Sequence, residues 1–294
     1  MSFINIWYFV VKIMWHYFHA LSSRFFLFME ILRLRRLGRD IPTYIDKMIW
    51  RNPSKAEDWV NLLCFIERSD ITLLIDIGAN LGEFSRSFRR LFHRSHIVAF
   101  EPASDAFEVM KYSFKEHKNV FVENIGISDI SGEKEMYVPK DNKLSGFAAY
   151  TDNLNTWRKM DIGNLQTVNV STLDSYESTI EKMKNTASVD KVVVKIDVQG
   201  HELNVLNGGG TVLRKADMVL CECTFAPVYK GLEPSFSRVC SILYEHGLRP
   251  IIFQDYGYQA SNYAMERDVL FVKPHLLNNI LLSRPISNSV KITT

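Results

Sequence analysis

Long apolar runs and stretches with helical apolar spacing alternate along the chain from residue 56 onward. Runs such as "TLLIDIG", "HIVAFE" and "VDKVVVKIDV" are almost wholly apolar in their centres, which is typical of parallel strands buried on both faces. Between the first two lies "EFSRSFRRLF", whose Phe84, Phe88, Leu91 and Phe92 share one side of a predicted helix. This alternation predicts an α/β fold with a Rossmann-like, doubly wound and mainly parallel sheet.

The remaining elements follow the same two patterns. Further helices are predicted at "SDAFEVMKYSFKEH", "HELNVLNGGGTVLRKA" and "SFSRVCSILYEHG". Further strands are predicted at "NVFVEN", "SGEKEMYVP", "MVLCECTF", "RPIIFQ" and "RDVLFVKP". Residues 126–172 are less regular, and we predict one strand there together with a loop at "LSGFAAYTDN".

The first 55 residues differ from the rest. We predict that they form an aromatic and basic N-terminal helical extension before a single domain over residues 56–294. Ten of the chain's 36 aromatic residues lie in the first 28 positions, and "RLRRLGR" follows at residues 33–39. Residues 1–55 carry nine Lys or Arg against three Asp or Glu, whereas the rest of the chain carries 26 against 30.

The polar positions of this extension define one narrow stripe on an otherwise apolar helix, because Lys12, His16, His19 and Ser23 recur at spacings of four, three and four. Such a helix packs on the domain or on a partner, or lies in a membrane interface, where a neighbouring basic cluster is common. Full insertion is disfavoured, since charged residues interrupt the ~20 apolar positions that a span needs. Peripheral membrane contact through residues 1–40 therefore stays open beside packing.

Composition narrows the class of protein. A net charge of +2 over 294 residues provides no field that would recruit nucleic acid, so no nucleic-acid partner is expected. The four cysteines, Cys64, Cys221, Cys223 and Cys240, show neither a disulfide framework nor the spacing of a zinc site. No metal is predicted. These features predict a reduced, cytoplasmic setting, with membrane association through the extension as the alternative.

The turn "DIGANLGEFS" at the end of the first strand is a candidate ligand site, because ligands of such sheets bind beyond the carboxyl ends of the strands. The dinucleotide pattern G-x-G-x-x-G, counted from Gly78, needs glycines where this chain has Asn80 and Glu83. A carboxylate at the start of the following helix would repel a phosphate. A nicotinamide cofactor is therefore disfavoured, and S-adenosylmethionine, a sulfonium cation without phosphate, is predicted instead.

The residues predicted to bind this cofactor are Asp76, Gly78, Asn80, Gly82, Glu101 and Asn124. We expect Asp76 to meet the cationic part directly or through water, or alternatively to order the loop. Close backbone approach is expected at the two glycines. Glu101 closes the second strand at a distance along the chain where an acid grips ribose hydroxyls in doubly wound folds. Asn124, or the backbone after it, is expected at the adenine.

A second polar cluster lies in "KVVVKIDVQGHEL". Strand alternation puts Lys195, Asp197 and Gln199 on one side, and a lysine and an aspartate two positions apart at a buried strand end are expected to pair. His201 and Glu202 follow at the start of the next helix. The pair is interpreted either as catalytic or as a structural salt bridge, and His201 either as a base or as a solvated residue at a helix start.

Together the two clusters resemble a known family. The segments "LIDIGANLGEFS", "VAFEP", "NIGISDISGE", "STLDS", "KIDVQGHELNVLNGG" and "MVLCE" occur in the order and spacing seen in FkbM-type S-adenosylmethionine-dependent methyltransferases. The similarity covers about residues 70–273 and leaves residues 1–55 outside. It implies the class I methyltransferase type of sheet. Gln199 stands where many members have Glu, which weakens any mechanism that needs a third carboxylate or a metal there.

The resemblance implies methyl transfer from S-adenosylmethionine to a hydroxyl oxygen of a sugar, polysaccharide, lipid or polyketide. A base must accept the hydroxyl proton. Asp197 is the first candidate with Lys195 orienting it, and His201 is the second. Loops at 139–165 and 225–235 are expected to shape a pocket for this small-molecule or glycan partner. A non-catalytic module of the same fold, tethered by its N-terminal helix, is the alternative.

Overall fold

The computed structural model describes residues 65–67, 69–138, 145–151, 164–253 and 265–277. The predicted N-terminal extension, its boundary at residue 55 and most of the predicted loop at 139–165 lie outside these residues. Within the described ranges, strands and helices alternate as the apolar pattern predicts, except over residues 120–172, where strands follow one another without a described helix between them.

The described strands are β1 (Thr72–Ile77), β2 (His96–Phe100), β3 (Val120–Glu123), β4 (Gly126–Ser128), β5 (Gly132–Val138), β6 (Asn164–Thr172), β7 (Lys191–Ile196), β8 (Met218–Thr224), β9 (Arg249–Phe253) and β10 (Glu266–Val272). The described helices are α1 (Glu83–Leu91), α2 (Ser104–Phe114), α3 (Glu177–Ala187), α4 (Glu202–Asn207), α5 (Gly210–Lys215) and α6 (Phe236–Glu245). None of the helices within the described ranges is long and apolar enough to cross a membrane.

Seven strands form one sheet in the order β3-β2-β1-β7-β8-β10-β9. The first five in this order are parallel to their neighbours, while β10 runs antiparallel to both β8 and β9. The chain builds β2 and β3 on one side of β1 and later places β7 and β8 on the other side. The strand order therefore reverses between β1 and β7, and a crevice that binds ligands is expected beyond their carboxyl ends. The predicted mainly parallel, doubly wound sheet is confirmed.

Both faces of this sheet are covered, which explains the almost wholly apolar strand sequences. Along β1, Leu74 joins the core on one face, whereas Leu73 and Ile75 join the core on the other. β7 alternates in the same way, with Val193 on the first face and Val194 on the second. Because the residues in the strand centres are buried in these two cores, the polar side chains of β1 and β7 lie towards the strand ends, where the crevice opens.

A smaller sheet of three strands, in the order β4-β6-β5, lies beside the start of α2. Its buried residues Met136, Val168 and Val170 contact Ala103 and Ala106. The sequence predicts only β5 of this sheet, and the irregular structure expected elsewhere in this region is wrong at β4 and β6. β6 leaves much of its surface exposed, so its apolar alternation is reduced to two valines.

The single helix predicted over "HELNVLNGGGTVLRKA" is also wrong, because the structure has two short helices, α4 and α5. Gly208 and Gly209 separate them. A Cβ atom on Gly208 would lie 2.0 Å from the backbone oxygen of Ser128, so the glycine allows α4 to end directly against β4. A run of glycines also weakens a continuous helix, since each costs about 1 kcal/mol relative to alanine.

Candidate active site

A cavity of about 320 Å³ opens at the reversal between β1 and β7. Its walls come from the turn after β1, the start of α1, the end of β2, the short segment 145–147 and the segment that follows β7. Asp268 of β10 completes the wall. The volume lies in the range of sites for small molecules.

The turn after β1 fits tightly against the end of β7. Gly78 has a φ of +78°, and a Cβ atom there would lie 1.9 Å from the backbone oxygen of Asp197. The backbone N–H groups of Gly78 and Ala79 both donate to the carbonyl oxygen of Phe100, at 3.1 and 3.0 Å. Asn80 continues the turn with a φ of +50°. The close approach that Gly78 permits here is to the end of β7, and both Gly78 and Asn80 line the cavity, so their predicted contact with the cofactor stays a prediction.

Glu101 holds this turn from the end of β2. Its carboxylate accepts hydrogen bonds from the backbone N–H groups of Asn80 at 2.7 Å and Ala103 at 2.8 Å. Burial raises the pKa of Glu101 to about 7, while the two N–H donors favour the ionised form and limit the shift. Glu101 lines the cavity, so it can support the turn and accept a further hydrogen bond from a ligand.

Asn124 acts on the same strand end from outside the cavity. Its side-chain N–H group donates to the carbonyl oxygens of Glu101 and Pro102, at 2.9 and 3.0 Å. Asn124 does not line the cavity, whereas the next residue, Ile125, does. Of the two predicted contacts with adenine, the structure therefore favours the one made after Asn124.

Lys195 connects β1 and β7 at the centre of the site. Its ammonium nitrogen lies 3.1 Å from Oδ2 of Asp197 and 3.8 Å from Oδ1 of Asp76. Burial would lower the pKa of Lys195, but Asp197, Asp76 and Asp268 outweigh it and hold the pKa above its usual value. Lys195 thus stays protonated at neutral pH, and it can orient a carboxylate but cannot accept a proton.

Asp76 lies beneath the cavity wall. It is fully buried, and its carboxylate accepts a hydrogen bond from Oγ of Ser85 at 2.6 Å. Burial raises the pKa of Asp76, opposed by Lys195 and by the Ser85 hydroxyl. The structure does not bring Asp76 to the cavity, so the predicted direct contact with a cation is not supported. Its contacts match the alternative, an acid that orders the turn and the start of α1.

Gln199 places an amide between two carboxylates. Its Nε2 donates to Oδ1 of Asp197 and to Oε2 of Glu222, both at 2.8 Å, and its Oε1 accepts from the hydroxyl of Tyr150. Asp197 is therefore held on one oxygen by Gln199 and on the other by Lys195. With 35% of its side chain exposed, the Asp197 carboxylate faces the cavity and retains lone pairs for a ligand proton.

Gly82 has a packing role. It precedes α1 with a φ of +76°, and a Cβ atom there would lie 2.9 Å from the ring of Phe114 and 3.1 Å from Met110. Both contacts are on α2, and Gly82 does not line the cavity. The close approach expected at this glycine is therefore with a helix, and the prediction that Gly82 binds the cofactor is not supported.

His201 is turned away from the cavity. It is buried behind the wall, with Nε2 at 2.9 Å from Oγ of Ser128 and its ring 4.6 Å from that of Phe147. Burial first, and then the nearby Lys134, lowers the pKa of His201 to about 4. The imidazole is neutral but does not line the cavity, so the structure does not support the prediction that His201 is a second base.

Asp268 is a site residue that the sequence does not predict. It lies opposite Glu222 across the β8–β10 pair and lines the cavity. Burial, together with Asp197, raises the pKa of Asp268 to about 7, with Lys195 opposing the shift. Because β10 is antiparallel, its beginning faces the crevice, which the strand sequence alone does not reveal. The sequence indicates this position of Asp268 by placing an acidic residue near the start of the mostly apolar strand "RDVLFVKP". Within the described ranges, no group of three His, Cys, Asp or Glu side chains is arranged to hold a metal ion.

The sheet is doubly wound, and Glu83 places a carboxylate at its first turn, where a phosphate-binding turn would have free N–H groups. Glu101 adds an acid at the end of the next strand. Together these features are typical of a methyltransferase site. Residues 76–259 match the family described as the methyltransferase FkbM domain, and the chain belongs to this family. The methyl donor of the family is S-adenosylmethionine. The predicted family and cofactor are confirmed.

Individual relatives share limited sequence identity with this chain. The chain is 27% identical over 189 residues to the hexuronic acid methyltransferase AglP of Haloferax volcanii, covering 63% of this chain and 68% of that protein. It is 24% identical over 186 residues to methyltransferase 1 of Beauveria bassiana, covering 55% and 72%. Among solved structures, an FkbM methyltransferase from Methylobacillus flagellatus aligns with a TM-score of 0.40 and 10% identity, over 83% of this chain and 59% of that one.

Proposed function

We propose that this protein transfers the methyl group of S-adenosylmethionine to a hydroxyl oxygen of a sugar-containing acceptor. The observation that carries this proposal is the carboxylate of Asp197, which faces the cavity while Lys195 and Gln199 hold its two oxygens. A hydroxyl must lose its proton as it is methylated, and a fixed carboxylate in the cavity wall is suited to accept that proton.

Lys195 and Gln199 hold the carboxylate of Asp197 in position. The ammonium group of Lys195 stays protonated and fixes one oxygen of Asp197, while the Gln199 amide fixes the other. A base held by two donors needs little reorganisation when the acceptor arrives, which is how positioning contributes to the rate. The same two donors fix both oxygens of Asp197, so the remaining lone pairs keep one direction towards a hydroxyl bound in the cavity.

The opposite wall suits the methyl donor. S-adenosylmethionine, when bound, supplies a methyl group on a positively charged sulfur. Gly78 and Asn80 provide close backbone approach, and Glu101 presents a carboxylate where ribose hydroxyls are bound in doubly wound folds. Glu83 at the start of α1 also lines the cavity, and its charge suits a cationic ligand better than a phosphate.

The sugar acceptor is supported by a relative and by the chemistry of the wall. The relative from Haloferax volcanii is described as a hexuronic acid methyltransferase, so a sugar substrate occurs among the proteins that this chain resembles. The wall also presents Ser145, Gln199 and Asp268, whose polar atoms suit a ligand with several hydroxyl groups.

A product analysis tests the proposal. The purified protein is incubated with S-adenosylmethionine carrying a tritiated methyl group and with glycosides that offer hydroxyl groups, alone or together with a carboxylate or an amino group. We expect label in the sugar that survives mild alkali, because a methyl ether is stable under conditions that hydrolyse a methyl ester. Label that alkali releases, or label found only on nitrogen, would contradict transfer to a hydroxyl.

A further inference from the structure

We propose that the part of the acceptor entering the cavity is uncharged or cationic, and that Asp268 helps to exclude acceptors carrying a carboxylate. This inference rests on the proposed function and narrows its substrate class. It predicts neutral or amino sugars as acceptors and separates this chain from a relative whose name specifies a hexuronic acid.

The wall of the cavity carries more acidic than basic side chains. Among the described residues that line the cavity, the acids are Glu83, Glu101, Asp197 and Asp268, whereas the one basic residue is Lys195. S-adenosylmethionine carries a sulfonium, an ammonium and a carboxylate, so its single net positive charge does not balance this excess. An acceptor with its own carboxylate would add a like charge to a wall that is already negative, which is strongly unfavourable in a partly desolvated site.

The ammonium of Lys195 and the amide of Gln199 are already engaged by protein carboxylates. The ammonium of Lys195 lies between Asp197 and Asp76, at 3.1 and 3.8 Å. The amide nitrogen of Gln199 donates to Asp197 and to Glu222. An incoming carboxylate would compete for these two donors with the protein carboxylates that they already bind, which reduces the gain from placing a second anion beside them.

Partial protonation of the wall acids does not remove this excess of negative charge. Burial raises the pKa of Glu101 and that of Asp268 to about 7, so each is partly protonated at neutral pH. With each of these two half ionised, the formal negative charges of the wall still exceed the single positive charge of Lys195. Glu222 lies behind the wall and adds no negative charge at neutral pH, because burial and neighbouring carboxylates raise its pKa well above its usual value. An anionic acceptor would increase the negative charge of the wall, whereas a neutral one leaves it unchanged and a cationic one reduces it.

Asp268 is the most informative acid to change, because it has no part in the predicted transfer of the proton and no backbone N–H group of the turn depends on it.

Three matched glycosides test the inference: methyl β-D-glucopyranoside, its 6-carboxylate (the methyl glucuronide) and its 2-amino-2-deoxy analogue. The initial rate of methyl transfer per enzyme is measured for each over a range of concentrations. We expect kcat/KM for the glucoside and for the amino sugar to exceed that for the glucuronide by at least about tenfold, as expected for like charges brought together.

Two variants test whether Asp268 causes the preference against acceptors with a carboxylate. Asp268→Asn is expected to raise the glucuronide-to-glucoside ratio of kcat/KM several-fold, because it removes one wall carboxylate while keeping its shape. Glu116→Gln removes an exposed acid that follows α2 and does not line the cavity, and it is expected to leave the ratio unchanged.

Alkali-stable methylation of the glucuronide at a rate equal to or above that of the glucoside would overturn the charge preference while leaving methyl transfer to a hydroxyl intact. An unchanged ratio in Asp268→Asn would overturn the role of Asp268. If none of the three sugars is methylated, saturation-transfer NMR on the protein loaded with S-adenosylhomocysteine decides. Binding of the glucuronide as strong as that of the glucoside, or binding of none, overturns the inference, and binding of the glucoside or amino sugar alone supports it.

Discussion

Replacing Asp197 by Asn is expected to lower kcat for methyl transfer by about 10²–10⁴-fold, the range that a positioned general base contributes. Asn has the same shape but cannot accept the hydroxyl proton. Because the turn formed by Gly78 and Asn80, together with Glu101, stays unchanged, the affinity for S-adenosylhomocysteine is expected to remain within a few-fold of that of the wild type. The measurement is kcat and KM for an accepted sugar, with the cofactor affinity determined separately.

Measuring kcat and the cofactor affinity separately shows whether Asp197 is a catalytic base or part of a structural salt bridge. If Lys195 and Asp197 were only a structural pair, the substitution would weaken folding and cofactor binding together, and the rate of properly folded enzyme would change little. A variant with wild-type kcat would show that Asp197 is not the base. A variant that lost both stability and cofactor affinity would return the pair to the structural interpretation.

Replacing Gly78 by Ala is expected to lower the free energy of unfolding by about 3–5 kcal/mol and to abolish binding of S-adenosylhomocysteine. The added Cβ atom would lie 1.9 Å from the backbone oxygen of Asp197 and 2.9 Å from its carbonyl carbon. Since these are backbone atoms of the neighbouring strand end, neither can move without separating β1 from β7. The measurement is urea unfolding, combined with calorimetry on the folded fraction.

Gly231→Ala is the matched control. Gly231 has a φ of +72°, close to the +78° of Gly78, but nothing lies within 4 Å of a Cβ atom built there. The control therefore reports the cost of a left-handed alanine alone, about 1 kcal/mol. Equal losses of stability in the two variants would show that the contact between the turn and Asp197 is not tight in solution.

The main sheet follows directly from the sequence because β1, β2 and β7 are buried on both faces. The smaller sheet does not, since four of the nine residues of β6 are exposed and only Val168 and Val170 are buried. The predicted long helix fails at Gly208, where the chain must approach the backbone of Ser128. That constraint comes from β4, which is distant in sequence.

The candidate site also has some features that follow from the sequence and others that do not. The position of Asp197 beside Lys195 follows from strand alternation, and the approach at Gly78 follows from the turn. Asp268 depends on the antiparallel direction of β10, and the orientation of His201 depends on a pocket formed by Ser128 and other distant residues. These contacts between distant segments are not encoded in local spacing. The N-terminal extension, the domain boundary and the cytoplasmic location stay predictions.

The assignment of the cavity to S-adenosylmethionine is tested most directly by a calorimetric titration of the purified protein with S-adenosylhomocysteine, repeated with Glu101→Ala. We expect micromolar binding by the wild type. We expect loss of binding in the variant, because Glu101 both lines the cavity and fixes the backbone N–H groups of Asn80 and Ala103. Absence of binding by a folded wild-type protein would contradict the assignment of this cavity to the methyl donor and would favour a non-catalytic role for the fold.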